Sequence, residues 1–214
     1  MYKPLIDLPK ITKEPLRVHV NRNGFKESFH DVDIAVCDAE GTVVIGMGDV
    51  ESIVFPRSAM KPLQAIALIE HLSTVNRIEE FTEAEIALIC ASHNGETIHT
   101  EAITELLRRF DISIEELICG AHWSTNEETM VSQIRSMERP HQVHNNCSGK
   151  HAGMLILSKL LNGKTSGYAE LTNEAQQKIL GVLEFMTGLD LMSYAQGVDG
   201  CGAPVFAAPL SNWA

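Results

Sequence analysis

The chain has 214 residues, 44% of them hydrophobic, which is enough to bury a core in one domain. Its formal net charge of −11, without any run of lysine or arginine, argues against nucleic acid and anionic membranes as partners. The first residues lack the apolar run of a signal peptide, and no stretch is long enough to span a bilayer. Five scattered cysteines fit a reducing compartment better than a disulfide framework. The sequence therefore predicts a soluble cytoplasmic protein.

The first fifty residues have the pattern of β-structure. Leu16, Val18 and Val20 alternate with polar residues as in a strand, and the Asn-Arg-Asn-Gly segment at 21–24 predicts a turn. Two further β-rich runs, 33–37 and 42–46, flank Asp-Ala-Glu-Gly and predict a hairpin.

From residue 58 onward the pattern is mostly helical. A capping box at Thr82 predicts a helix through Ile89, and Ser113 before two glutamates predicts another helix start. Apolar spacing, caps and a closing Gly188 predict further helices over 98–110, 126–137, 149–161 and 173–187. A hairpin, many helices and strand-like residues near the end predict a mixed α and β (α+β) fold rather than βαβ repeats. We expect one domain over residues 1–214.

The chain is organised around Ser58-Ala59-Met60-Lys61, at the predicted start of a helix. Pro56 disfavours helix before it, and the apolar residues that follow recur at helical spacing, so Ser58 and Lys61 share one helix face. A partly desolvated lysine can take the proton of a serine, and N–H groups at a helix start can hold an oxyanion. Ser-x-x-Lys is the arrangement of serine β-lactamases and penicillin-binding proteins. The alternative is an N-cap serine beside a solvated lysine.

A second candidate is the polar loop at 90–96. It can present Ser92 and the amide of Asn94 to a pocket, and Ser92-x-Asn94 matches the second β-lactamase element. The alternative is a polar helix end capped by Gly95. Lys164-Thr-Ser-Gly resembles the third element, Lys-Thr-Gly, but it falls in a predicted loop, so we interpret it as a chance match.

Cys147 and Lys150 stand at another predicted helix start, with two imidazoles nearby. Cys147 and His151 would share a helix face, and His144 could be a third zinc ligand. Cys147 and Lys150 are the other pairing, in which the amine binds a metal only when neutral. A third alternative is an anion-binding helix start at which Gly149 permits close approach.

The segment 197–204 is a glycine-rich loop with a carboxylate, Asp199, and a thiol, Cys201. Three glycines in six residues let the backbone come close to a ligand. The alternative is a surface turn.

Together these segments resemble, in order and spacing, the asparaginase II family, the thermolabile rhizobial type of L-asparaginase. The resemblance covers the chain from Val18 onward and is carried by five segments: 57–64, 90–96, Cys119-Gly-Ala-His-Trp123, 144–154 and 199–202. It implies a serine β-lactamase-like fold and hydrolysis of L-asparagine, a small-molecule substrate, to L-aspartate and ammonia. It also implies a homodimer for the complete protein.

The resemblance assigns catalytic and substrate-binding roles. Ser58 would be the nucleophile, Lys61 its base, and Ser92 a member of a second serine–lysine pair. Asp199 would face the α-amino group of the substrate and Arg57 would shape the pocket. The substrate-binding residues implied in this way are Arg57, His93, Asn94 and Asp199.

The resemblance further implies a zinc site at Cys147, Lys150 and Cys201, in place of the set that includes His144 and His151. We expect this metal to orient the substrate rather than to activate water, because its ligands lie away from the Ser58 helix in sequence.

One departure from the family is the length of the chain. Family members continue well beyond this point, and the lysine expected to partner Ser92 lies in that further part. We therefore expect a C-terminally truncated chain with exposed strand edges, and a poor or inactive enzyme when it is made as written.

Two rival functions are compatible with this sequence pattern. A β-lactamase or D,D-peptidase would share the Ser-x-x-Lys chemistry but needs Lys-Thr-Gly on a strand. An inactive remnant would keep a ligand site without turnover. Ammonia release from asparagine and hydrolysis of nitrocefin would separate these functions.

Overall fold

The computed structural model describes residues 11–136 and 138–214. In these residues the α-helices are α1 (Lys61–Thr74), α2 (Glu83–Cys90), α3 (Thr97–Arg109), α4 (Glu127–Arg135), α5 (Ser148–Asn162), α6 (Glu174–Thr187) and α7 (Leu210–Trp213). The strands are β1 (Ile11–Thr12), β2 (Leu16–Arg22), β3 (Phe25–Val32), β4 (Ile34–Cys37), β5 (Val43–Met47), β6 (Ile53–Val54), β7 (Gln196–Val198), β8 (Pro204–Phe206) and β9 (Ala208–Pro209).

This combination confirms the predicted mixed α+β class. The finer expectation of a serine β-lactamase-like fold stays a prediction, as does the single domain over residues 1–214. The chain separates into two compact units, one formed by the described part of Met1–Phe55 with Ala207–Ala214, the other by Pro56–Phe206. None of the helices in the described residues is long and apolar enough to cross a membrane.

The first unit contains the predicted hairpins. β2 and β3 pair antiparallel through a turn at Asn23 and Gly24, whose φ values of 47° and 80° are the left-handed conformations that Asn and Gly accept. β4 and β5 pair antiparallel around residues 38–41, as the sequence predicted, and β1 adds parallel to β5. β6 and β9 form a further two-residue antiparallel pair.

The second unit is built around α5, in which every residue from Ser148 to Ser158 is buried. Helices α1, α2, α3 and α6 pack against it. The predicted caps are present: Thr82 and Glu85 form a capping box, and Asn126 and Asn173 accept backbone N–H groups at the starts of α4 and α6. Gly163 and Gly188 end α5 and α6 in the left-handed conformation.

Three predicted helix boundaries differ. Ser113 does form a capping box, but it opens only the 3-10 turn Ile114–Glu116, because the chain becomes extended at the buried Leu117. The helix predicted to residue 137 ends at Arg135, and residue 137 itself lies outside the described residues. Ser58 lies in a 3-10 turn, Arg57–Met60, and the α-helix begins only at Lys61, which places Pro62 in its first turn.

Gly149 and Gly153 allow α2 to lie close against α5. A Cβ at Gly149 would overlap the carbonyl oxygen of Leu88, and one at Gly153 would lie 2.8 Å from Ile89 Cγ2. Glycine at these helical positions is therefore required by packing, although alanine is the better helix former. This close approach sets the position of the loop that follows α2, which carries Ser92.

We expect Gly149→Ala to lower the free energy of unfolding by about 2 kcal/mol, because overpacking against a backbone carbonyl cannot be relieved by a rotamer change. Gly181→Ala on α6 is the matched control. Its added Cβ meets no atom within 4 Å, so we expect no loss and a gain of up to about 1 kcal/mol from helix propensity. Urea unfolding of both variants measures the difference, and equal effects would contradict the packing argument.

Candidate functional site

Lys61 is a buried lysine of the candidate site, with 1% of its surface exposed. Its Nζ lies 2.9 Å from the carbonyl oxygen of Ala91, 2.7 Å from Ser92 Oγ and 3.4 Å from the carbonyl oxygen of Asn146. The spacing placed Lys61 beside Ser58, and the family resemblance implied another lysine as the partner of Ser92. In the structure the hydroxyl that Lys61 contacts is that of Ser92, on the loop that follows α2.

Burial lowers the pKa of Lys61, and the nearby Cys147 side chain partly opposes this by favouring the charged form. When the amine is neutral it has two N–H groups and one lone pair. The carbonyl oxygens of Ala91 and Asn146 can only accept, so they take the two N–H groups and leave the lone pair for the Ser92 hydroxyl. This arrangement can remove a proton from Ser92.

Ser58 is exposed in the turn before α1, and no hydrogen bond to its hydroxyl is found within the described residues. Its neighbour Arg57 has a φ of 52°, a left-handed conformation that is unfavourable for a residue with a side chain. Strained backbone of this kind is concentrated at functional sites. The Arg57 side chain is 62% exposed, and its guanidinium lies 2.5 Å from Asp199 Oδ1.

Asp199 lies in the turn between β7 and β8, which pair antiparallel. Its carboxylate is buried, accepts the N–H of Gly200 at 2.9 Å, and lies 3.9 Å from Lys150 Nζ. The glycine-rich segment is therefore a hairpin turn that places a carboxylate and a thiol in the interior, and not only a surface turn. Arg57 and Asp199 are 142 residues apart in sequence.

Cys147, Lys150 and Cys201 come together, as the resemblance implied. Lys150 Nζ lies 3.1 Å from Cys201 Sγ, and all three residues are buried. The neighbouring Cys147 side chain lowers the pKa of Cys201 while its own pKa is raised, and the positive charge of Lys150 lowers the pKa of Cys201 further. Two sulfurs and an amine in contact are a donor set that suits Zn²⁺.

The alternative zinc set with His144 and His151 is not formed. Among the described residues no three His, Cys, Asp or Glu side chains are grouped as they would be to hold a metal. His144 Nδ1 accepts the N–H of His141 at 3.2 Å, and His151 Nδ1 lies 2.7 Å from the hydroxyl of Tyr168. These two imidazoles therefore serve the local structure.

His151 is completely buried next to the thiol cluster, which consists of Cys147, Lys150 and Cys201. Burial lowers the pKa of His151. Tyr168 accepts the N–H of Ile118, so its own O–H is available to donate to His151 Nδ1. Nε2 of His151 then carries the hydrogen and, within the described residues, has no hydrogen-bond partner. Its ring adjoins Cys201, where it favours the thiolate.

His93 was a candidate substrate-binding residue, but both of its ring nitrogens are used inside the protein. Nδ1 accepts the N–H of Gly95 at 3.0 Å, and Nε2 lies 2.8 Å from Ser148 Oγ, which in turn donates to the carbonyl of Val143. The backbone N–H of His93 also donates to Asn146. This geometry favours a role in fixing the Ser92 loop to the start of α5.

Asn94 is half-buried, and its side-chain amide donates to Glu96 Oε1 at 2.6 Å. Its carbonyl oxygen accepts hydrogen bonds from Ser124 Oγ and from the N–H of Thr125. Asn94 thus connects the Ser92 loop to the start of α4. Lys164, from the chance match to Lys-Thr-Gly, lies in a loop between α5 and α6 as predicted.

Sequence reasoning did not assign roles to Gln64 or Asn145, which support the site. Asn145 donates to the carbonyl oxygen of Gly120 and accepts the N–H of Cys147, which fixes the turn that enters α5. Gln64 lies three residues after Lys61 and therefore on the same face of α1, and this spacing is the signal that could have identified it.

Comparison with known proteins gives one finding about the family. The family described as L-asparaginase II matches residues 18–214, which is nearly the whole chain. A search of curated proteins found no match. Because the family match spans the Ser-x-x-Lys turn, the Ser92 loop and the thiol cluster together, the chain belongs to the asparaginase II family.

Proposed function

We propose that the protein is an amidohydrolase that converts L-asparagine to L-aspartate and ammonia by serine–lysine catalysis. The observation that carries this proposal is the buried amine of Lys61, 2.7 Å from a serine hydroxyl and with two carbonyl oxygens to take its N–H groups. Membership of the asparaginase II family supports the amide substrate.

In this mechanism Ser58 attacks the side-chain carboxamide carbon, and the lone pair of Lys61 turns from the Ser92 hydroxyl to that of Ser58 and receives its proton. Return of that proton to the amide nitrogen releases ammonia and leaves an acyl-enzyme, which water hydrolyses to L-aspartate. Ser58 suits the attack because its hydroxyl is exposed next to Arg57. The short distance between Lys61 and Ser92 supports Lys61 as the proton acceptor, whereas the choice of Ser58 as nucleophile rests on its exposure and on the family motif.

Arg57 and Asp199 suit the two charges of a free amino acid. The exposed guanidinium of Arg57 can bind the α-carboxylate, while the Asp199 carboxylate can bind the α-ammonium group. The two side chains already form an ion pair, so the substrate would replace one pairing of opposite charges by two. A substrate needs both an α-carboxylate and an α-ammonium group to form these two ion pairs, so the site favours amino acids over simple amides.

Zinc is part of the proposal, with Cys147, Lys150 and Cys201 as its ligands. The buried sulfurs and the amine that lies 3.1 Å from Cys201 are consistent with this donor set. When bound, the metal would supply a fixed positive charge beside Asp199 that helps to orient the substrate. The chain's own contribution is to hold Asp199 in its hairpin turn.

We expect protein purified under reducing conditions to carry about one zinc per chain, because the thiolates and amine would be preassembled. Cys201→Ser should lose most of the metal. Cys37→Ser is the matched control, since Cys37 lies in the first unit with Sγ 3.6 Å from the carbonyl oxygen of Ser211. Elemental analysis of the three proteins measures zinc, and zinc retained in Cys201→Ser would refute these ligands.

The test of the function is ammonia release from L-asparagine by the natural protein. Turnover of L-asparagine without turnover of nitrocefin is expected. Hydrolysis of nitrocefin alone would replace the proposal by a β-lactamase-like function, and binding without either reaction would favour a non-catalytic ligand site. The loop position of Lys164 already argues against the β-lactamase alternative, which needs that motif on a strand.

A further inference from the structure

Gln64 has a buried polar atom that lacks a hydrogen-bond partner among the residues that the structure describes. The residue is 5% exposed, and its Oε1 makes no hydrogen bond within the described residues. A buried carbonyl oxygen without a partner costs about 1–3 kcal/mol, so such atoms are almost always satisfied by another group or by water. Gln64 therefore indicates a bound molecule that donates a hydrogen bond.

The space beside Gln64 has the size of one water. A cavity of about 10 Å³ lies between α1, α5 and neighbouring helices, and three of the residues that line it, Lys61, Gln64 and Lys150, have polar side chains. The rest of its wall is apolar and comes from α1, α2, α5 and α6: Ala65, Leu68, Ile89, Gly153, Met154, Leu157 and Ile179. This volume is close to the minimum that accommodates a single water, which needs two or more polar partners.

The two lysines differ in what they can offer to that water. Lys61 Nζ already has three protein neighbours. Lys150 Nζ makes one hydrogen bond in the part of the chain that the structure describes, to Cys201, and so retains a further N–H group. A water that donates to Gln64 Oε1 and accepts from Lys150 satisfies both groups. A cation is disfavoured there because two lysines line the cavity.

We propose that one internal water bridges Gln64 Oε1 and Lys150 Nζ, and that Gln64 is thereby a positioning residue that holds Lys150 towards Cys201. The bridge would join α1 to α5 through Lys150, the residue that contacts Cys201. Its role in metal binding rests on the proposed function, whereas the water site itself does not. Removing a group that hydrogen-bonds to a metal ligand and so orients it typically weakens metal binding by about 10- to 100-fold.

The experiment compares the natural polypeptide with Gln64→Met, which keeps the length of the side chain but removes the acceptor. Leu68→Met is the matched control, because Leu68 lines the same cavity and leaves Gln64 intact. Crystal structures at a resolution that shows ordered water should contain one water between Gln64 and Lys150 in the natural protein and in Leu68→Met. In Gln64→Met we expect this water to be absent and the 3.1 Å contact of Lys150 with Cys201 to be lost.

Competition with a zinc chelator gives the second measurement. Gln64→Met should bind zinc about 10- to 100-fold more weakly than Leu68→Met. A natural protein without water at Gln64 would overturn the site, and a Lys150–Cys201 contact unchanged after the water is lost would overturn the positioning role. If no variant binds zinc, the metal proposal fails while the crystal structures still decide the water and the position of Lys150. A Gln64→Leu variant repeats the comparison should Gln64→Met fail to fold.

Discussion

Replacing Lys61 with methionine should lower kcat for ammonia release by roughly 10²–10⁴-fold, the usual contribution of a general base. Methionine fills a similar volume but can neither accept the proton of a serine nor donate to the carbonyl oxygens of Ala91 and Asn146. Steady-state kinetics with L-asparagine measures the loss. The unfolding transition must be measured in parallel, because two buried carbonyl oxygens lose a donor.

The matched control is Lys159→Met, the same chemical change near the end of α5. Lys159 Nζ also donates to a backbone carbonyl, that of Asp111, at 2.5 Å, but it lies outside the candidate site. We expect its kcat to stay within about two-fold of the natural value, as for a surface substitution. A Lys61→Met enzyme that remains as active as Lys159→Met would exclude Lys61 as the base.

The two serines can be ranked against Lys61→Met. If Ser58 is the nucleophile, Ser58→Ala should be at least as damaging as Lys61→Met, because no acyl-enzyme can form. Ser92→Ala should be less damaging, since Ser92 then only orients Lys61. A few-fold loss in Ser58→Ala with a near-complete loss in Ser92→Ala would move the nucleophile to Ser92.

The local features of this chain could be predicted because they depend on short-range rules. The Thr82 capping box, the closing Gly188 and the hairpin around residues 38–41 each follow from a few neighbouring residues, and each is present. Strands of two residues, such as β1 and β6, carry too little periodicity to be recognised in a sequence.

The contacts that assemble the candidate site could not be predicted from spacing, because they are long-range. Lys61 and Ser58 share a motif, yet Lys61 Nζ meets Ser92, which lies 31 residues away. The side chain of Lys61 is buried between the end of α2 and the turn before α5, whereas Ser58 lies in an exposed 3-10 turn. His93 likewise lies beside Ser92 in sequence, but the fold uses both of its nitrogens.

The thiol cluster shows the complementary case. Nothing in the local pattern favoured Cys147 with Lys150 over Cys147 with His151, since both pairs fit one helix face. The hairpin of β7 and β8 brings in Cys201 from 51 residues beyond Lys150. The contact of Lys150 with Cys201, together with the bond between His151 and Tyr168, distinguishes the two alternatives. The resemblance to a family supplied that long-range information, which residue-by-residue reasoning could not.

Acid should destabilise the protein in part through His93, whose buried ring has a pKa lowered to about 4 from its ordinary value of 6.5. Burial is the main cause, and the neighbouring side chains of His99 and Lys61 add to it. Protonation would also remove the acceptor of the Gly95 N–H, because Nδ1 could no longer accept it.

The direction follows from proton binding. Between pH 6.5 and 4 the unfolded chain binds a proton at His93 that the folded protein does not, so the free energy of unfolding falls as the pH is lowered. The part of this loss that is due to His93 should reach about 2.5 kcal/mol at pH 4.5 and level off at about 3.5 kcal/mol well below pH 4, at roughly 1.4 kcal/mol for each pKa unit. Above pH 6.5 this contribution is constant.

Urea unfolding at pH 7 and at pH 4.5 measures this loss in the natural protein and in His93→Gln. Glutamine does not titrate, so the variant should lose about 2.5 kcal/mol less between the two pH values, although it is less stable at pH 7. His30→Gln, an exposed histidine on β3, is the control and should follow the natural protein. Carboxylates titrate alike in all three proteins and cancel in the comparison. An equal loss in His93→Gln and the natural protein would show that His93 is not the buried neutral imidazole that ties the Ser92 loop to α5.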